Sequence, residues 1–367
     1  MSATAGTITN VENKYYLLPL KEPLGDSMHG IQTHVVLVTT EITVASGEKG
    51  LGYTYTGGPG GMAIWQMLES DFKPALLGRD ADCIEAIWRD MYIKLHYVGR
   101  GGLIAFALAC MDVALWDLKC LRAGLPLWKM IGGGSGQTKA YAGGVDLNFT
   151  VEHLLKSVQG YLDNGHKAVK IKVGKDNLWE DVERVAAVRE YLGPDIVLMA
   201  DANYKWTTSE AVAASNALAK FNLLWLEEPV DPDNIRGHRV LAEQGSTAIA
   251  TGENFRNIYE FEHMFTYGHI DFPQPDVSNI GGITPFLKVA AMAAALQLNV
   301  SSHGMHELHV SVLSGLPNPA YLEIHSYPLD QYTTRPMVVT NGIAIPPDAT
   351  GTGVVFRPEL IDPHRVK

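Results

Sequence analysis

From about Lys139 onward, hydrophobic and polar positions settle into a repeating rhythm. Short apolar runs stand near residues 139–143, 167–172, 196–201, 223–227, 247–251, 269–272, 298–302 and 320–324. Longer stretches with helical spacing separate them, near 151–164, 179–191, 207–220, 235–244, 256–266, 283–296 and 306–315. Such alternation predicts βα units around a parallel sheet, and eight strand candidates predict a barrel rather than an open sheet. Only seven helices separate the strands, so the last unit is expected to close with an irregular helix or none.

The first part of the chain has a different texture. YYLLPL, THVVLVTTEITV and GLGYTY make residues 8–56 rich in β-formers, with SGEKG as a turn between the last two. The polar segment GDSMHGIQTH at 25–34 interrupts this pattern and is expected to be a mobile loop, as is GGPGG at 57–61. Helical stretches are expected from about Met62, over Ala81–Lys94 and over Leu103–Arg122, with Gly124 and Pro126 as stops. The last is mostly apolar and therefore buried, so its Asp112 and Asp117 read as structural partners. The material after Pro328 is rich in Pro and Thr and is expected to return to the N-terminal part.

Composition narrows the class. A chain of 367 residues, 46% hydrophobic and 19% charged, suits a globular enzyme with a barrel and a smaller domain. The net charge of −11, without any basic stripe, argues against nucleic acid as a partner. It also means that a site for an anionic substrate must be made positive locally. Cys83, Cys110 and Cys120 have no metal-like or CxxC spacing and are expected to be buried, reduced thiols of a cytoplasmic protein. The polar start MSATAGTITN has no signal-peptide core, and no apolar run approaches ~18 residues, so no membrane association is expected.

The candidate chemistry sits at the strand ends. IVLMADAN brings Asp201, LLWLEEP brings Glu227 and STAIATGEN brings Glu253, at equal steps of 26 residues. A step of that length is one βα unit, so the acids recur at one point of three neighbouring units and converge at the barrel mouth. Three such carboxylates repel one another unless a cation lies between them, and oxygen-only ligands favour a hard ion such as Mg²⁺. On the preceding strand, Lys170 and Lys172 alternate onto the same inward face. Two close ammonium groups are expected to depress each other's pKa, which would let a lysine act as a base. Across the barrel, DFPQPD ends in Asp276 and NVSSH in His303, an acid placed to orient an imidazole. Glu323 closes the eighth strand. HGMHELH suggests zinc at first sight, but it is not HExxH, and His306 and His309 fall on the helix after His303, so no shared metal site is expected. GGGSG at 132–136 and the pair at 281–282 lack a phosphate-binding frame and read as a linker and a helix-entry turn.

KIK at 170–172, DAN at 201–203, EEP at 227–229, GEN at 252–254, PD at 275–276, SSH at 301–303 and the Glu323 strand together resemble the mandelate racemase subgroup of the enolase superfamily, in order and spacing. The resemblance implies a modified TIM barrel, (β/α)₇β, under an α+β N-terminal capping domain. Residues 1–130 would form the cap, 131–325 the barrel, and 326–367 a segment returning to the cap. It implies Asp201, Glu227 and Glu253 as Mg²⁺ ligands, Lys172 as one acid/base and the His303–Asp276 pair as the other. Lys170 and Glu323 would hold the substrate carboxylate, and a homo-oligomer is expected from family habit. DVALWDLKCLRAGLPL, FNLLWLEEPVD, IATGE and GGITPFLK look most like acid-sugar dehydratases of the L-talarate/galactarate type. Asn203, His29, Tyr53 and Tyr55 are the expected substrate contacts, with His96 and Arg100 also on the capping loops. The leading expectation is a lyase that removes the proton α to a carboxylate through an enediolate and expels the β-hydroxyl, giving a 2-keto-3-deoxy acid. A racemase or epimerase using the same two bases is the alternative, and a scaffold without activity is the reading from another class.

Overall fold

The computed structural model describes residues 4–327 and 329–367; the first three residues of the polar N-terminal stretch and Pro328 lie outside the described residues. Three antiparallel strands open the chain, β1 (Ile8–Asp26), β2 (Gly30–Val44) and β3 (Lys49–Thr56), in that spatial order. The run VVLV in β2 has no polar alternation because both faces are covered. Val36 and Val38 join the apolar cluster of the Leu103–Ala123 helix, while Val35 and Leu37 join the larger cluster shared with the barrel. Asp112 and Asp117 serve the fold: Asp112 accepts from the Thr284 N–H and hydroxyl, Asp117 from the N–H groups of Leu51 and Thr352.

The second part is a modified (β/α)₇β TIM barrel. Strands β4 (Thr138–Gly143), β5 (Ala168–Lys172), β6 (Val197–Asp201), β7 (Leu223–Glu227), β8 (Ile249–Thr251) and β9 (Phe272–Pro273) run parallel in order, and β10 (Tyr321–His325) returns to pair with β4. The Ser301 N–H donates to the Pro273 carbonyl at 3.0 Å and the Ser302 N–H to the Tyr321 carbonyl at 3.1 Å, which closes the ring. The strand expected over 298–302 is thus reduced to a single bridge at Val300. Its neighbour β9 ends in Pro273, with Pro275 just beyond, and proline supplies no ladder donor.

Alternation along the barrel strands sorts the side chains. Val169, Ile171, Leu198, Ala200, Leu226 and Ile249 point outward into the helix layer. Ala168, Met199 and Trp225 point inward and, with Tyr141 and Ala250, make an apolar floor. The next inward residue toward the strand C-terminus is Lys170, Asp201 or Glu227, so the polar layer rests directly on that floor. Side chains of Thr150, Asn177, Thr207 and Asn257 cap the helices that follow and fix where each one starts.

Two expectations need correction. Residues 25–34 are not an open loop: β1 extends to Asp26 and β2 begins at Gly30, with Leu24 opposite Gln32 after an irregularity in register. Only residues 27–29 turn, and backbone pairing plus contacts to the barrel hold this hairpin. Cys83 is exposed because it sits at the start of a surface helix, whereas Cys110 and Cys120 are buried. A small hairpin, β11 (Val339–Thr340) and β12 (Ile343–Ala344), adds to the start of β4. The chain end then reaches β1, where the Tyr15 N–H donates to the Lys367 carbonyl and the Val366 N–H to the Tyr15 carbonyl. No helix among the described residues is long and apolar enough to cross a membrane.

Candidate active site

Asp201 and Glu227 are the last residues of β6 and β7, and Glu253 lies two residues beyond β8. One carboxylate oxygen from each lies within 4.8 Å of the others. All three side chains are buried. Lys172 Nζ sits 2.5 Å from Asp201 Oδ2. Lys170 Nζ bonds Glu227 and lies 2.8 Å from Glu323 Oε1. Glu227 is fixed further by donation from the Trp225 indole at 2.9 Å and the Gln274 amide at 2.7 Å, both to Oε2. The structure brings together the three acids and both lysines singled out from the strand ends; Gln274 carried no signal in the sequence.

On the opposite side, Asp276 Oδ2 is 2.9 Å from His303 Nδ1, and His303 Nε2 is 3.5 Å from Glu253 Oε1. The Tyr55 hydroxyl donates to the same Asp276 oxygen at 3.1 Å. Gly304 makes this possible: its φ is +59°, and a Cβ there would overlap the Tyr55 hydroxyl. The Gly304 N–H donates to Glu323 Oε2 at 2.9 Å, so both Glu323 oxygens are engaged. His306 and His309 do not join a metal cluster. His306 faces Asp330 at 3.1 Å, and the His309 ring lies between the Val277 N–H and the Gly304 carbonyl.

The electrostatics follow from burial and from which partner is closest. Burial pushes the Glu227 carboxyl up to about 8; Lys170 pulls it down, and the charges of Asp201 and Glu253 add to the rise. Burial would raise Asp201 too, but Lys172 and Lys170 outweigh it and hold the group at about 2. His303 would be lowered by burial, yet Glu253, the Asp276 hydrogen bond and Glu323 lift it to about 10. The lysine pair corrects the sequence expectation. Burial lowers Lys172, but the charges of Asp201, Glu253 and Glu227 together outweigh burial and the repulsion of Lys170, and Lys172 stands above its ordinary value. Asp201 outcompetes Lys170 because it touches the ammonium.

These groups open onto a cavity of about 680 Å³ between barrel and cap. Lys172, Asn203, Glu253 and His303 line it from the barrel, and His29 and Tyr55 from the cap. Tyr53 does not reach it: fully buried, it donates to Glu307 at 2.5 Å and packs on Phe356. His96 and Arg100 are also absent from its walls. Asp26, Gln32 and His325 line it as well and were not expected. His325 was findable, since it lies two residues past Glu323 and alternation puts both on one face. Asp26 and Gln32 carried no such signal, because hairpin pairing and docking place them. Backbone strain collects here: Asn203, Tyr204, Glu228 and Met305 have positive φ, each one to three residues beyond a strand-end site residue.

The donor set fits a hard divalent ion. It consists of three carboxylates, one of which resists ionisation by itself, and Glu253 Oε2 is buried without a hydrogen-bond partner. Two family models cover the chain: mandelate racemase / muconate lactonizing enzyme, N-terminal domain, over residues 9–132, and enolase C-terminal domain-like over residues 153–360.

The chain belongs to the enolase superfamily, in its mandelate racemase subgroup.

Within this superfamily it is 46% identical over 350 residues to 3,6-anhydro-alpha-L-galactonate cycloisomerase of Streptomyces coelicolor, covering 95% of this chain and 97% of that one. It is 36% identical over 326 residues to the L-talarate/galactarate dehydratase of Salmonella typhimurium, covering 87% and 82%. A crystal structure of a racemase from Streptomyces coelicolor with bound magnesium superposes with a TM-score of 0.96 at 44% identity, over 98% of this chain and all (100%) of that one.

Proposed function

We propose that this enolase-superfamily enzyme uses Mg²⁺ to eliminate a β-oxygen from an acid sugar, giving a 2-keto-3-deoxy acid. The observation that carries the reading is a pair of groups on the barrel rim: Lys172 at the end of β5 and His303, oriented by Asp276, beyond β9, both lining the cavity. Asp201, Glu227 and Glu253 would hold the ion. Bound there, Mg²⁺ takes up carboxylate charge that otherwise keeps Lys172 protonated, and it offsets the charge that grows on the substrate as the α-proton leaves.

The residues divide the remaining work. Lys172 Nζ, as the free amine, takes the proton α to the carboxylate. Lys170 and Glu323 bracket the substrate carboxylate. His303, its Nδ1 held by Asp276, gives a proton to the departing β-oxygen as the C–O bond breaks. The enol that remains tautomerises to the keto acid. The cap segment over residues 1–130, with the returning residues 326–367, would choose the substrate, and the barrel over 131–325 would transform it.

The first substrate class is a 3,6-anhydro aldonate, whose β-oxygen is part of an ether ring, because the 46% identity to the cycloisomerase spans 95% of the chain. The second is an open-chain acid sugar such as galactarate, which loses water; the 36% identity to the dehydratase supports it. Both need the same two groups, Lys172 and His303. The test is to incubate the Mg²⁺-loaded protein with both classes in D₂O and follow product by mass spectrometry. Ring opening keeps the substrate's composition, and dehydration loses one water. Deuterium exchange at the α-carbon without any keto product would overturn elimination in favour of racemisation or epimerisation.

A further inference from the structure

His325 is a buried cavity-lining imidazole that the mechanism above does not use. It follows Glu323 by two residues on β10, faces inward, and is 9% exposed. Its Nδ1 accepts the Tyr327 N–H at 3.0 Å. A ring nitrogen that accepts carries no proton, so the proton of the neutral ring is on Nε2. Tyr327 also packs against the ring, with centroids 4.4 Å apart, and holds its plane. The Nε2–H has no protein acceptor among the hydrogen bonds of the described residues, although it belongs to a buried side chain beside the reacting groups. A donor built into a cavity and left without a protein partner is placed for a ligand oxygen.

The neighbouring geometry says which oxygen. The His303 and His325 rings meet edge to face, with centroids 5.2 Å apart. A nitrogen of each, with a Glu323 oxygen, lies within a mutual distance of 4.8 Å. Because Asp276 engages Nδ1 of His303, the nitrogen there that faces the cavity is also Nε2, which lies 3.5 Å from Glu253 Oε1. Rings this close leave room for one ligand oxygen to accept from a nitrogen of each with ordinary hydrogen bonds of about 2.9 Å. The oxygen that His303 protonates is the departing β-oxygen.

We infer that His325 donates a hydrogen bond from Nε2 to the departing β-oxygen of the acid sugar, alongside His303, and so helps the enzyme select an oxygenated β-carbon over an alkyl or aryl one. The inference rests on the elimination reading above. His303 supplies the proton that the oxygen keeps; His325 supplies a fixed donor that strengthens as negative charge develops and keeps its own proton. No co-reactant is required.

The test separates proton abstraction from elimination. In His325→Leu, loss of the donor is expected to lower kcat/KM for keto-acid formation by about 10²-fold. Exchange of the α-proton with solvent deuterium, which needs Lys172 and the ion alone, is expected to stay within about threefold of wild type. His325→Gln, whose side-chain amide can present an N–H near the position of Nε2, is expected to recover elimination to within about tenfold. Equal losses of exchange and elimination in His325→Leu, or no loss of either, would overturn the inference, as would a His325→Gln protein no better than His325→Leu. Should His325→Leu fail to fold by circular dichroism, His325→Phe fills the same space and carries the same comparison. Wild-type protein that neither exchanges nor eliminates on either sugar class refutes the elimination reading itself, an outcome distinct from a silent His325.

Discussion

The two walls of the cavity are built by different physics. The barrel wall presents Lys170, Lys172, Asp201, Glu227 and Glu253, all buried and each tied to a partner or packed over an apolar floor. Their positions follow from strand ladders, which fix direction and height at once. The cap wall depends on a hairpin tip pinned by few side-chain bonds. The Ser27 hydroxyl donates to the Ala202 carbonyl at 2.8 Å, and the His29 ring bridges Asp26 at 2.9 Å and the Tyr204 hydroxyl at 2.8 Å. The His29 side chain stays 48% exposed, against 7% for Lys172. A rigid wall suits chemistry that needs sub-ångström placement, and an adjustable one suits substrate choice.

The strongest way to break this contrast is Lys172→Met, which keeps length and removes the base. Keto-acid formation is expected to fall by about 10⁴-fold with the far-ultraviolet circular dichroism unchanged. Activity within tenfold of wild type would take the barrel wall out of the mechanism. Glu227→Gln, on the same wall, is expected to weaken Mg²⁺ binding by roughly 10²-fold in calorimetry on EDTA-treated protein, since one of three charged ligands is lost. On the cap wall, His29→Ala is expected to raise KM about tenfold and leave kcat within about threefold. An equal fall in kcat would mean that the hairpin takes part in chemistry.

Smaller effects sharpen the boundary of the site. Tyr53→Phe removes a donor to buried Glu307 and is expected to cost about 1–2 kcal/mol in chemical denaturation, with KM unchanged. At the opposite end of the barrel, His166 precedes β5 and is only 6% exposed. Burial, with the charge of His306, depresses it to about 4. The unfolded chain therefore binds a proton below pH ~6.5 that the folded chain refuses until about pH 4. Stability is present in full above 6.5 and falls as pH drops through that window, by up to about 1.4 kcal/mol per pH unit. In His166→Gln the melting temperature is expected to fall less steeply with acid; an unchanged slope would place the acid sensitivity elsewhere.

How much was legible depended on the range of the interaction. Local patterning located the eight barrel strand positions and the seven helices between them, because each element's period is written in a few residues. The equal 26-residue steps and the two-residue step from Lys170 to Lys172 translated directly into a shared mouth and a shared face. Tyr53 and Tyr55 show where that logic stops. They have the same alternation on β3, yet only Tyr55 reaches the cavity, since Tyr53 meets Glu307 from a helix 254 positions away in the chain.

The sequence by itself determined the barrel, the acid triad, the lysine pair and the histidine–aspartate pair, since these depend on periods and strand ends. The tertiary structure alone decided three other things: that Asp201 rather than Lys170 governs the charge of Lys172, that residues 25–34 form a docked hairpin, and that His325 stands beside His303 with a donor to spare. Each of these depends on distances between segments far apart in the chain, and electrostatic and hydrogen-bond energies are set by those distances.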